Sequence, residues 1–188
     1  MDQEPKRRFY LHHFKSISHA IATYEDLGLL FNHLAEGTAR AFDAKGCAIM
    51  LLDEREKQFF HVSSYGISES YKKKGPIFID QNHSAFFVNK PVFIKDMLCD
   101  NRIRYPEDAK KEGLVSLLCI PIRHRKDPIG LVRIYHAESI EYHEEDIDAL
   151  SVLCELLGMV IDINGLINFL DSVKIAMGSL PIRMLAGL

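Results

Sequence analysis

Two apolar segments separated by a short charged turn constrain the fold of this chain most strongly. Residues 116–122 and 129–136 have the apolar and β-branched content of strands, and residues 123–128 between them form a charged connection. Strands joined by so short a turn pair antiparallel, because a parallel pair needs a crossover of a dozen or more residues. The segment therefore predicts an antiparallel hairpin.

Four further strands are predicted earlier in the chain. They are residues 47–52, residues 58–65, a short strand that follows Gly75-Pro76 and ends at Ile79, and residues 92–94. A short helix is predicted over residues 83–89, and a helical turn ends at Glu112-Gly113. Because most connections are short, we predict the α+β fold class with an antiparallel sheet of about six strands.

Helices are predicted before the first strand. Within residues 7–22, apolar residues recur at spacings of three and four, which is typical of one helix face: Tyr10, Phe14, Ile17 and Ile21. Thr23 is expected to cap a second helix, with Asp26 completing a pattern like a capping box. The apolar stripe of that second helix runs from Leu27 to Phe42.

A long helix is predicted from Glu144, where the helix dipole favours the acids of the first turn. It carries two apolar stripes, one over residues 147–161 and one over residues 153–170. A sheet can bury only one of these stripes. The other is expected to pack on the N-terminal helices, on a second copy of the chain, or on both. Asn164-Gly165 is a candidate interruption of this helix.

Composition narrows the possible functions. Of the 188 residues, 47% are apolar and 26% charged, as in soluble globular proteins. The net charge of −3 offers no surface for nucleic acid, and we interpret the basic run Lys72-Lys73-Lys74 as a solvated turn. The N-terminus lacks a secretion signal, and the apolar run over residues 156–163 is too short to span a membrane, so we expect a cytoplasmic protein.

Four local patterns, in their order and spacing, resemble a GAF domain, the small sensory module of signalling proteins. They are residues 91–96 (PVFIKD), the loop with Asp96, Asp100 and Arg102, residues 112–122 (EGLVSLLCIPI), and residues 129–132 (IGLV) followed by 144–150 (EEDIDAL). The resemblance covers residues 27–164, leaving residues 1–26 as an N-terminal helical extension and residues 165–188 as a C-terminal helical extension or tail. It implies a profilin-like sheet with the terminal helices on one face and a ligand pocket on the other, roofed by residues 80–113.

The resemblance also implies a function. Such a domain binds a small molecule, whose identity the sequence leaves unknown, and it rarely acts as an enzyme. We expect the terminal helices to pair in a homodimer and to carry the signal to a possible effector protein. No catalytic residue, metal site or known cofactor is predicted.

Arg133 is the one charged residue in an otherwise apolar strand, on the same face as Leu131 and Tyr135. A buried charge costs several kcal/mol unless it is paired, so Arg133 either meets a carboxylate or receives an anionic ligand. In the long loop before residue 116, we prefer a loop-bracing ion pair as the role of Asp96 and Arg102. The predicted ligand-binding residues are Phe78, Phe86, Asp96, Arg102, Tyr105, Cys119, Arg133 and Tyr135.

Known types of GAF domain suggest alternative functions for this chain. The Asn-Lys pair of cyclic-nucleotide-binding GAF domains is replaced here by Tyr135-His136, and the bilin-attachment run is absent. Cys99-Asp100 is similar to part of the Ala-Cys-Asp segment of free methionine-(R)-sulfoxide reductase, with Cys119 as the available second thiol. A third alternative is a ligand-free dimerisation module whose pocket is filled by Phe86 and Tyr105.

Overall fold

The protein is described by a computed structural model that covers residues 5–78 and 84–178. Its six strands are β1 (Gly46–Asp53), β2 (Gln58–Tyr65), β3 (Ile77–Phe78), β4 (Val92–Ile94), β5 (Ser116–His124) and β6 (Asp127–His136). They form one sheet in the order β3-β2-β1-β6-β5-β4, and every neighbouring pair is antiparallel. The predicted α+β class and six-stranded antiparallel sheet are confirmed, although the expected end of β3 at Ile79 lies outside the described residues.

Helices occupy both faces of the sheet. Three long helices, α1 (Leu11–Thr23), α2 (Leu27–Ala41) and α6 (Glu144–Gly178), share one apolar core with one face of the strands. Three short helices, α3 (Glu69–Lys72), α4 (Ala85–Val88) and α5 (Pro106–Glu112), pack on the opposite face. Of the short helix predicted over residues 83–89, His83 lies outside the described residues.

The period-two alternation of β6 divides its side chains between these two layers. Val132 and Ile134 join the core beneath the long helices. Leu131 and Tyr135 point to the opposite face, into two smaller apolar clusters. Arg133 lies between them and therefore belongs to the face that the short helices cover.

The start of α2 differs from the predicted one. Asp26 caps this helix, because its carboxylate accepts a hydrogen bond from the amide of Leu29 at 2.9 Å. The Thr23 hydroxyl instead donates to the carbonyl of His19 at 2.8 Å in the last turn of α1. The expected cap at Thr23 is therefore wrong, and a carboxylate one turn later satisfies the free amide.

The last helix runs without a break through Asn164-Gly165, so the candidate interruption is wrong. The Asn164 side chain donates to the carbonyl of Val160 at 2.9 Å, within the helix. By length and hydropathy α6 could cross a membrane, but buried core helices of soluble proteins meet the same criterion. Its first half packs on β5, whereas its second half exposes large apolar side chains: Met159, Ile163, Leu166, Ile167, Phe169, Leu170, Val173 and Ile175.

Gly158 allows α6 to approach the end of β5 closely. A methyl group at this position would collide with the carbonyl oxygen of Arg123, whereas a methyl group at Gly165 would meet nothing within 4 Å. In an open helix interior, Gly→Ala stabilises by about 0.5–1 kcal/mol. We expect that gain for Gly165→Ala and a loss of roughly 1–3 kcal/mol for Gly158→Ala, measured by denaturant unfolding. Equal gains from both substitutions would contradict this packing.

Candidate ligand-binding site

A cavity of about 400 Å³ lies between the face of the sheet that carries Arg133 and the loop that follows β4. This volume falls within the range of small-molecule sites, roughly 300–1,000 Å³. Four aromatic side chains contribute to its lining: Phe59, Tyr71, Phe78 and Tyr105. Four basic side chains also contribute: Lys74, Arg102, Arg104 and Arg133. Among the described residues, no carboxylate lines the cavity.

Arg133 reaches the cavity from the middle of the sheet, where it pairs in register with Ala48 of β1 and Cys119 of β5. It forms no ion pair with any carboxylate in the described parts of the chain. Its Nε atom and the hydroxyl of the neighbouring Tyr135 are buried without a well-formed hydrogen bond, although the Arg133 side chain interacts with the side chains of Tyr135 and Cys119. Tyr135 and Cys119 are neutral, so the charge of Arg133 is left unbalanced by the described side chains.

Lys74 brings a second positive charge close to Arg133. Its ammonium donates to the carbonyl of Tyr71 at 3.1 Å and lies 3.5 Å from the centre of the Tyr71 ring. Burial, and then the charge of Arg133, lower the pKa of Lys74 to about 8. The pKa of His61 on β2 falls to about 4 through burial and the charges of Lys74 and Arg133. The site is therefore electropositive, and His61 is neutral at neutral pH.

The other two arginines belong to the loop. Arg102 is held by Asp100, with Nε–Oδ1 at 2.8 Å and Nη2–Oδ2 at 2.5 Å, so its charge is balanced. The guanidinium of Arg104 lies 4.9 Å from the centre of the Phe78 ring. Arg104 is exposed, so Arg133 and Lys74 are the half-buried cations of the cavity that form no ion pair within the described chain.

Hydrogen bonds fix the loop over the cavity. The Met97 amide donates to the carbonyl of Val115 at 2.7 Å, and the Asp96 carboxylate accepts from the Leu98 amide at 2.8 Å. The Tyr105 hydroxyl donates to the carbonyl of Pro76 at 3.0 Å and crosses close to Gly75, whose positive φ of 138° and missing side chain leave room for the ring. These bonds fix the position of the loop relative to the sheet, and so fix the shape of the cavity between them.

Four of the predicted ligand-binding residues line the cavity: Phe78, Arg102, Tyr105 and Arg133. The other four do not. Cys119 and Tyr135 are buried in the sheet beside the cavity, and Phe86 packs edge-on against Phe59 at 5.1 Å. Asp96 is exposed and braces the loop alone, since the partner of Arg102 is Asp100. The ion pair expected between Asp96 and Arg102 is therefore wrong, because Asp100 is two residues from Arg102 and also accepts its amide.

Tyr71 and Lys74 also line the cavity and were not predicted from the sequence. The run Lys72-Lys73-Lys74 is not simply a solvated turn, because it ends the short helix α3 and turns Lys74 inward. Four helical residues are too few to produce a periodic pattern. Tyr71 is the one large apolar residue within the polar run over residues 68–74, and it could have indicated that one side of this run is buried.

The cysteines lack the features of a reactive pair. Cys99 is exposed, and its hydrogen bond with Asp96 raises the pKa of the thiol. Cys119 is buried, and burial raises the pKa of its thiol. Both environments favour the thiol over the thiolate that a nucleophile requires. Within the described residues, all four cysteines are free, and no group of three potential metal ligands is found.

Comparison with known proteins identifies the family. Residues 25–162 match the family model for the GAF domain, so the chain belongs to the GAF domain family, whose members are commonly sensory or regulatory in signalling proteins. A search of curated proteins finds no match.

Solved structures share the fold. The GAF domain of a phosphoenolpyruvate-protein phosphotransferase from Coxiella burnetii is 16% identical, with a TM-score of 0.72 over 90% of this chain and 96% of that one. The corresponding domain from Acinetobacter is 18% identical, with a TM-score of 0.66 over 81% and 92%. Free methionine-R-sulfoxide reductase from Neisseria meningitidis, in complex with its substrate, is 14% identical, with a TM-score of 0.66 over 86% and 96%. At these identities the likeness concerns the fold alone.

Proposed function

We propose that this GAF domain is a cytoplasmic regulatory module that binds a small molecule in the cavity beside Arg133 and has no enzymatic activity. The observation that carries the proposal is the half-buried Arg133 side chain, which lines the cavity and forms no ion pair among the described residues. Phe86 and Tyr105 do not fill this space, which favours ligand binding over a ligand-free dimerisation module. The net charge of −3 and the enclosed site suit a small molecule better than nucleic acid.

The second part of the proposal concerns the output. The exposed apolar side chains of α6 leave a face that a second copy of the helix can bury, so we propose a homodimer. Since α6 also packs on β5, a ligand that shifts the sheet would change how the two helices meet and so reach an effector protein.

Native mass spectrometry tests both parts. We expect a dimer that carries a small molecule after purification, or that gains thermal stability from at least one member of a metabolite panel after unfolding and refolding. Ile103→Trp places a large side chain in the cavity wall and is expected to abolish the ligand response. Leu29→Trp on the exposed face of α2, away from the cavity and from α6, is its control. A monomer without ligand and without any such response would overturn the proposal.

Turnover of free methionine sulfoxide is the rival activity. The raised pKa of the Cys99 thiol and the burial of Cys119 weigh against it. We expect no loss of methionine sulfoxide with the native protein, and the same result with Cys99→Ser. Turnover that disappears in Cys99→Ser would establish the enzyme instead.

A further inference from the structure

Among residues 5–78 and 84–178, four of the seven buried side-chain atoms without well-formed hydrogen bonds lie on one face of the sheet. In the described chain, unpaired atoms of this kind include both ring nitrogens of His61, the Nε of Arg133 and the hydroxyl of Tyr135. His61 is on β2 and the other two residues are on β6, with β1 between them. Of these three residues, only Arg133 lines the cavity, and its charge makes this part of the wall polar.

The charges of the site specify the kind of polar ligand. Arg133 and Lys74 line the same cavity, and no described carboxylate lines it with them. The charge of Arg133 contributes to the lowered pKa of Lys74. Asp108 and Glu112 on α5 also act on Lys74, but Glu112 is occupied by the amide and hydroxyl of Ser68. Two like charges held together in a partly desolvated site are stabilised by an anion placed between them.

Resting on the proposed function, we infer that the ligand is a small anion whose carboxylate or phosphate group binds Arg133 and Lys74. The aromatic residues Phe59, Phe78 and Tyr105 surround the same cavity, so the rest of the ligand is a flat or apolar group. Arg133 supplies the planar donor fork that suits either anion, and Lys74 supplies a point charge. A neutral or cationic ligand would leave both cations unbalanced.

The titration of Lys74 gives this site a pH dependence. The charged and titratable groups around Lys74 lie on four elements of the fold. They are Arg133 on β6, His61 on β2, Tyr71 on α3, and Asp108 and Glu112 on α5. The pKa of Lys74 is lowered from 10.5 to about 8, so its charge is present at pH 7 and is largely lost at pH 9. Because the bound anion needs that charge, affinity is expected to fall over this range, and Lys74→Met is expected to remove the dependence.

Ligand-observed NMR with three matched probes tests the inference: benzoate, phenyl phosphate and the neutral benzamide. We expect at least one anion to bind with an affinity at least tenfold above that of benzamide, and the stronger of the two identifies the anionic group. Arg133→Met should weaken that anion roughly tenfold to a hundredfold, whereas Arg133→Lys should recover part of the loss. Lys110→Met, which removes an exposed charge from α5, is the control for net charge.

The outcomes separate the inference from the proposed function. If benzamide binds as tightly as both anions, or if Arg133→Met and Lys110→Met behave alike, the anion site is overturned while a ligand-binding cavity remains. If none of the probes binds, the anion site is overturned, and the native mass and the metabolite panel then decide the proposed function separately. Thermal unfolding of Arg133→Met is expected to show a folded variant, because an apolar side chain replaces a charge between Leu131 and Tyr135.

Discussion

Replacing Leu166 and Leu170 together with glutamate is expected to convert the protein from a dimer into a monomer. Both side chains are more than half exposed and lie one turn apart on α6. They belong to a stripe with alternating spacings of four and three, the pattern by which two helices pair: Met159, Ile163, Leu166, Leu170 and Val173. The expected dimer buries this stripe from both copies.

The size of the effect follows from the area that would be buried. Burial of a leucine side chain is worth about 1.5–3 kcal/mol, and a dimer would bury four of the substituted positions. We expect a loss of at least about 4 kcal/mol, or roughly a thousandfold in the dissociation constant. Sedimentation equilibrium measures it directly.

The control for the α6 substitutions adds the same charge elsewhere on the helix. Asn164→Glu with Asn168→Glu places two acids outside the 159–173 stripe, and this variant should remain dimeric. Equal masses for the native protein and the leucine variant would contradict the dimer. A native protein that stays in solution only with detergent would instead indicate that the α6 face contacts a membrane.

Asp146→Ala is expected to produce the largest loss of stability from a single substitution outside the cavity. The Asp146 side chain is fully buried in the first turn of α6. Its carboxylate accepts the backbone amides of Arg8 at 2.8 Å and Phe9 at 3.2 Å, which ties the segment before α1 to the long helix. The ring of Phe9 is itself buried and stacks on Phe42 at 5.4 Å.

Loss of the carboxylate would leave two amides without acceptors and loosen the packing of Phe9. We expect a destabilisation of about 3 kcal/mol, measured by urea unfolding. Asp148→Ala removes an exposed acid from the same turn and is expected to change stability by less than about 0.5 kcal/mol. Equal effects of the two substitutions would show that Asp146 contributes only through the helix dipole.

The strands of the sheet were predictable because the sequence signals that mark them lie within a few residues of each other. Turn lengths and apolar runs identified the six strands, and alternation placed Arg133 with Leu131 and Tyr135. Alternation relates the residues of one strand to each other, but it does not say which face meets the long helices. That assignment needed the packing of α1, α2 and α6, which the structure supplies.

The residues that line the cavity were predictable only in part. Whether a side chain on the correct face of the sheet reaches the cavity depends on its distance from the loop, which the sequence does not give. Tyr135 and Cys119 share the correct face with Arg133, but they are buried in the sheet and do not line the cavity. Lys74 was missed because a four-residue helix carries no periodic signal. The choice of Asp100 over Asp96 as the partner of Arg102 depends on the local turn, which spacing alone did not resolve.

The central claim is that Arg133 receives the ligand, and the Nε–H resonance of this side chain reports it most directly. With ¹³C,¹⁵N-labelled arginine, the signal can be assigned by its loss in Arg133→Lys. On titration with phenyl phosphate, we predict a saturable shift of the Arg133 signal, larger than that of Arg102, which Asp100 already holds. An Arg133 signal that stays unchanged while the probe binds elsewhere would contradict the account.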